Sequence, residues 1–153
     1  MTLRVIMVQW HTLALMWSQS HIPKEGIDAP MQLALILYHT MSTCLSNIFR
    51  SQHYSRLGLE VPRLSDEASL MHASRILDLV EIALQKSNLA GFLYCWPVQV
   101  ASLRYGISMQ QRERSLAIIK EIEKRGFVVS KPFEVLMRQG WWKMDHGIPL
   151  INN

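Results

Sequence analysis

The sequence predicts an all-α fold, a single irregular helical domain of about six helices. Three observations predict it: apolar residues recur at three- and four-residue steps in most segments, capping residues stand where those patterns begin, and strand-like alternation is confined to Phe127–Val129. No internal repeat, low-complexity tract or linker divides the chain, so the 153 residues form one domain with room for a sizeable core.

Residues 3 to 18 place Leu3, Ile6, Met7, Trp10, Leu13, Ala14 and Trp17 on one helical face. This helix has no N-cap and starts almost at Met1, which predicts that the chain is a piece of a larger domain. His21 to Ala29, with Pro23 and Gly26, reads as a loop. Asp28 as N-cap and Pro30 in the first turn open a helix from about 30 to 50. Leu33, Leu35, Ile36, Leu37, Tyr38, Met41, Leu45, Ile48 and Phe49 surround much of it, predicting burial on several sides. Arg50 to Pro62 is polar and aperiodic, a connecting loop.

Ser65 followed by Asp66 and Glu67 offers a cap and two anions to a helix N-terminus. The stripe Leu70, Ala73, Ile76, Leu77, Val80, Ala83 and Leu84 carries that helix to about Gln85. Next comes an aromatic stretch, Gly91 to Gly106, holding Phe92, Tyr94, Trp96 and Tyr105. Aromatics bring large buried areas, so the stretch reads as core, with Trp96 inside it. Pro97 lacks an amide and predicts a kink or a helix start, with regular structure from about Trp96 to Tyr105. Ser108 with Gln111 forms a capping box, and Gly126 after Lys124 and Arg125 closes the helix over 109 to 125, whose inner stripe is Leu116, Ile119 and Ile122. Val128 and Val129 read as extended, and Phe133, Leu136, Met137, Gly140, Trp141 and Met144 step along a last helix from about 132 to 144.

Composition excludes several functional classes. Net charge is +4, but the basic residues alternate with Glu113, Glu121 and Glu123, the pattern of a solvated helix face with near-neighbour ion pairs, which argues against phosphate binding. Hydrophobic residues reach 49% and charged ones only 18%, which predicts much apolar surface for a free-standing chain. The N-terminal apolar run breaks at Gln9 to Thr12 before it resembles a signal peptide, and no run is long enough for a membrane span.

Catalytic and metal chemistry find little support in the spacing. Cys44 and Cys95 have no second cysteine at ligand spacing, so neither a disulfide framework nor a cysteine metal site is expected. His39 and Cys44 are five residues apart, roughly 140° round a helix, and do not face one another. His53, His72 and His146 stand apart without carboxylates at metal-ligand spacing, so no metal, cofactor or catalytic residue is assigned. Trp141 and Trp142 cannot both face inward; one packs, and the other either lines a groove or is covered by a neighbouring segment, which makes the pair the best local hint of an interaction surface.

The order Tyr38–His39, Phe49, then Trp96–Pro97 followed by aliphatics and Ala101, closed by Trp141–Trp142, resembles the C-terminal part of the regulatory domain of fungal zinc-cluster transcription factors. The resemblance spans about residues 28 to 145. It implies an all-helical, nuclear or partly cytoplasmic regulatory region that holds activation in check, answers to protein partners or a small-molecule effector, and controls biosynthetic genes. The family's DNA-binding module needs six cysteines around two zinc ions, and this chain has two cysteines. Direct DNA binding by this chain is therefore not expected, and its partners would be other proteins or the missing upstream part of such a factor. The competing reading is a small helical enzyme or apolar-ligand-binding protein, with an aromatic pocket formed by Trp96, Tyr94, His39 and Cys44.

Overall fold

A computed structural model describes residues 28–49, 64–86, 91–104, 106–148 and 150. The expected helix over residues 3 to 18 and the loops over 21 to 27 and 50 to 62 lie outside the described residues. Among the described residues the architecture is all-α: α1 (Ala29–Phe49), α2 (Asp66–Lys86), a 3-10 turn (Gly91–Tyr94) that runs directly into α3 (Cys95–Ser102), α4 (Met109–Lys124) and α5 (Ser130–Asp145). No described helix is long and apolar enough to cross a membrane.

The helix starts follow from short polar side chains. Asp28 Oδ1 accepts from the Met31 amide at 2.9 Å, and Ser65 Oγ accepts from the Ala68 amide at 3.1 Å. Ser108 and Gln111 complete a reciprocal capping box on α4. Each satisfies amides that the helix itself leaves without partners. Gly126, at φ 94°, reverses the chain after α4 in the left-handed conformation that glycine adopts without steric cost.

Val128 and Val129 are not extended. Ser130 and Lys131 amides reach back to the Phe127 and Val128 carbonyls at 3.0 and 3.2 Å, and Val129 is already helical at φ −59°, ψ −12°. The turn must bring α5 straight back onto α4, and two successive tight turns do so in fewer residues than a strand would need. As a result α5 starts at Ser130, two residues before the sequence pattern predicts.

The core is one cluster contributed by every described helix, with Ile36, Ile76, Leu77, Val80, Val98, Ile119, Ile122 and Met137 fully or almost fully buried. Helices α1 and α2 make the most extensive pair, and the short α3 packs against α1, α2, α4 and α5 alike. Its buried residues are Cys95, Pro97, Val98, Ala101 and Ser102. On α4 the inner stripe is Ser115, Ile118, Ile119 and Ile122, with Leu116 only partly buried beside it.

Trp96 is not core, which corrects the expectation from its size. It is 41% exposed, and Phe92 on the same stretch is 51% exposed. The reason is angular. Residues 95, 98, 101 and 102 define the stripe that faces the other helices, and at 100° per residue Trp96 points roughly 150° away from its centre. Pro97 lies in the first turn of α3, where its missing amide costs no helix bond, so it starts the helix rather than kinking it.

The tryptophan that is core is Trp141. It is 7% exposed, and its indole Nε1 donates to the Ser102 carbonyl at 2.7 Å, tying α5 to the end of α3. Gly140 beside it is equally necessary for the approach: a Cβ there would meet Leu103 Cδ2 at 2.2 Å. Trp141→Ala is therefore expected to cost about 3–5 kcal/mol of stability. Trp96→Ala should cost less than about 1 kcal/mol. Denaturant melts of the two variants check the ranking, and equal losses would show that the helix register is misassigned.

Candidate functional site

The polar chemistry of the molecule is concentrated on the inner faces of α1 and α2. Below Leu35 and Ile36, the face of α1 turned toward α2 carries His39, Thr40, Thr43 and Ser46, all 4% exposed or less. The threonines pack there because their hydroxyls are satisfied within the helix: Thr40 Oγ1 donates to the Ile36 carbonyl at 2.7 Å and Thr43 Oγ1 to the His39 carbonyl at 2.9 Å. That leaves their methyl groups for packing.

At the centre of this seam His39 meets His72 of α2, Nδ1 to Nδ1 at 2.7 Å, with ring centroids 4.9 Å apart. The Tyr38 ring lies 5.1 Å from His39 and 5.8 Å from His72. A single hydrogen fits between two nitrogens at that separation, so one ring donates and the other accepts. Burial, then the His72 ring, then the Arg75 guanidinium hold the His39 imidazole well below its ordinary range, at about 3. The His39 ring is therefore neutral at pH 7. Further up the helices, Gln32 Nε2 donates to the Leu79 carbonyl at 2.9 Å, and further down Ser46 Oγ accepts from the Leu64 amide at 3.2 Å.

One turn from His72, the first turns of α2 bind a buried cation. Arg104, just past α3, is 1% exposed; its Nε donates to Ser69 Oγ and its Nη2 reaches Asp66 Oδ1 at 2.8 Å. Its Nη1 has no hydrogen-bond partner among the described residues. Ser69 and Arg104 are 35 residues apart in sequence, and nothing in their local patterns announces the contact.

The remaining sequence-predicted residues fall elsewhere. Tyr38 and His39 sit at the α1–α2 seam, Phe49 closes α1, Trp96 and Pro97 open α3 on its outer and inner sides, and Ala101 is fully buried on α3. Trp141 packs while Trp142 is 56% exposed and stacks on His146 at 4.6 Å. Cys44 is half-buried and Cys95 buried, both free; burial pushes the Cys95 thiol up to about 11, so it is a poor nucleophile. No group of three His, Cys, Asp or Glu among the described residues is placed to hold a metal ion.

The two arginines of α4 are paired, and across helices rather than with near neighbours. Arg112 makes two bonds to Asp145 at 2.7 and 2.8 Å, and Arg114 grips both Asp78 and Glu81 of α2. Arg125 to Glu121 is the expected four-residue pair. The α4 acids therefore do not screen Arg112 and Arg114; acids of α2 and α5 do.

Comparison with family models, curated proteins and solved structures finds no match to this chain.

The Arg104 contact has a testable asymmetry. Asp66→Ala strands a buried guanidinium and should cost about 1–3 kcal/mol, whereas Arg104→Met removes the charge together with the need to satisfy it and should cost less. Urea midpoints of the two variants decide the order, and a larger loss for Arg104→Met would mean that the cation itself holds the helices together.

Proposed function

We propose that this chain is a helical regulatory-type domain that works by binding other proteins, without DNA-binding or catalytic chemistry of its own. The observation that carries the reading is the outer face of α5. Val135 and Trp142, seven residues apart, lie on the side of the helix opposite buried Met137 and Trp141, and they are 53% and 56% exposed. Val128 and Val129, in the turn that leads into α5, are also exposed. Aromatic and aliphatic side chains held in water on a rigid helix are the residue types that anchor protein interfaces.

The order of Tyr38–His39, Phe49, Trp96–Pro97 and Ala101 supports placing the chain with the regulatory region of fungal zinc-cluster transcription factors, and with it a nuclear role in controlling biosynthetic genes. In that reading DNA is contacted by a partner or by an upstream part, and a small-molecule effector would act on this region. The pairing of Arg112 and Arg114 with carboxylates is consistent with the absence of a phosphate-binding role. The pocket reading around Trp96 has no observation in its favour: Trp96 is at the surface and His39 Nδ1 is engaged by His72.

Fused to a heterologous DNA-binding domain in a fungal host, the chain is expected to change reporter output. Trp142→Ser should remove at least half of that effect without lowering the melting temperature, since Trp142 is exposed. A fusion that leaves the reporter unchanged refutes the reading.

A further inference from the structure

We propose that the outer ridge of α1 is the seat of the chain's own residues 3 to 18, folded back on it as an antiparallel helix. The ridge consists of Leu37, Met41 and Leu45, which are 40, 48 and 36% exposed. Four-residue steps put them in one line along the helix, opposite the buried row of Ile36, His39 and Thr43. Over its 21 residues α1 carries no Asp, Glu, Lys or Arg. A helix that is apolar on both sides is a helix to be covered on both sides. The helices packed extensively on α1 are α2 and α3, and they leave this ridge open.

Residues 3 to 18 lie outside the described residues, and what fits them to the ridge is their sequence and their place in the chain. Leu3, Ile6, Met7, Trp10, Leu13, Ala14 and Trp17 form an apolar stripe that needs a partner surface, and Arg4 is the one charged residue among the sixteen. The nine residues 19 to 27, with Pro23 and Gly26, separate the stripe from α1 and are enough for the chain to reverse. Sixteen residues of helix are about 24 Å long, and the same rise carries α1 from Ala29 to Leu45. An antiparallel return therefore brings Trp10 over Leu37, Met7 over Met41 and Leu3 over Leu45. Arg4 then lies toward the C-terminal end of α1, which has no basic residue in its last turn and where the helix dipole favours a cation.

A tethered occupant also suits the size of the ridge. Three large side chains are far fewer than the roughly 20–30 residues a side of a stable interface between separate chains. A segment joined to α1 by a short linker meets the ridge at an effective concentration on the order of millimolar, so a small contact is enough to hold it. A second copy of the chain has no such advantage.

The test is amide hydrogen exchange at pH 7 on the whole chain, with Met41→Asp as the variant and Met109→Asp, at an exposed methionine of α4, as the control. Amides of residues 6 to 17 are expected to exchange at least about tenfold slower than their intrinsic rates. Met41→Asp should speed them by about fivefold or more and leave α4 and α5 unchanged, while Met109→Asp leaves residues 6 to 17 as they are. Unprotected amides in the native chain overturn the proposal, as does protection that Met41→Asp does not touch or that Met109→Asp removes equally. A sedimenting dimer that Met41→Asp dissociates also overturns it, because the ridge then belongs to a second copy. Should Met41→Asp speed α4 and α5 as well, the uncharged Leu37→Gln decides: a selective rise for residues 6 to 17 upholds the docking, and none overturns it.

Discussion

Every helix described here depends on one short one. Helix α3 has eight residues, yet it is the element that α1, α2, α4 and α5 all touch. A helix in that position cannot carry large inward side chains, because neighbours on several sides would then be held beyond contact distance of one another. Cys95, Val98, Ala101 and Ser102 meet this constraint, and Gly140 extends it to α5, whose backbone lies where a Cβ would collide with Leu103. Close approach also explains why the end of α3 is capped from outside. A buried carbonyl at the last turn needs a donor, and the Trp141 indole supplies it while filling the space beside the helix.

Around that hub the molecule has two kinds of interface. Between α3, α4 and α5 the contacts are apolar and supported at the rim by ion pairs such as Arg112–Asp145, whose carboxylate is open to solvent and whose contribution is small. Between α1 and α2 a row of buried polar groups runs alongside the apolar core. Such a row adds little net stability over an apolar one, because every group traded a water bond for a protein bond. What it does is penalise alternatives. If α1 slid one turn along α2, His39 and His72, Gln32 and the Leu79 carbonyl, and Ser46 and the Leu64 amide would all part together, leaving several polar groups buried without partners. The seam therefore sets the register of the pair more than its strength.

The local parts of this structure were legible in the sequence, and the parts that depend on distance along the chain were not. Asp28, Ser65 and Ser108 announced three helix starts because capping acts within three residues. The stripe from Ala73 to Leu84 was readable because its burial follows helical period. Trp96 misled because size was weighed ahead of angle: the small residues Ala101 and Ser102 define the inner face, and a tryptophan on the outer side of α3 is exposed whatever its hydrophobicity. The histidine seam was invisible for a different reason. His39 and His72 each sit singly in their helices, 33 residues apart, and only the pairing of α1 with α2 brings them together. The same holds for Arg104 with Ser69 and for Arg114 with Asp78 and Glu81.

The two interface types imply different responses to the environment. Apolar packing around α3 is insensitive to modest changes in pH or salt, since nothing in it titrates near neutrality. The seam is different, since each of its hydrogen bonds joins the two helices in one register only. A shift of α1 would in turn disturb α3, which packs on it, so the seam and the apolar core are mechanically joined through that short helix.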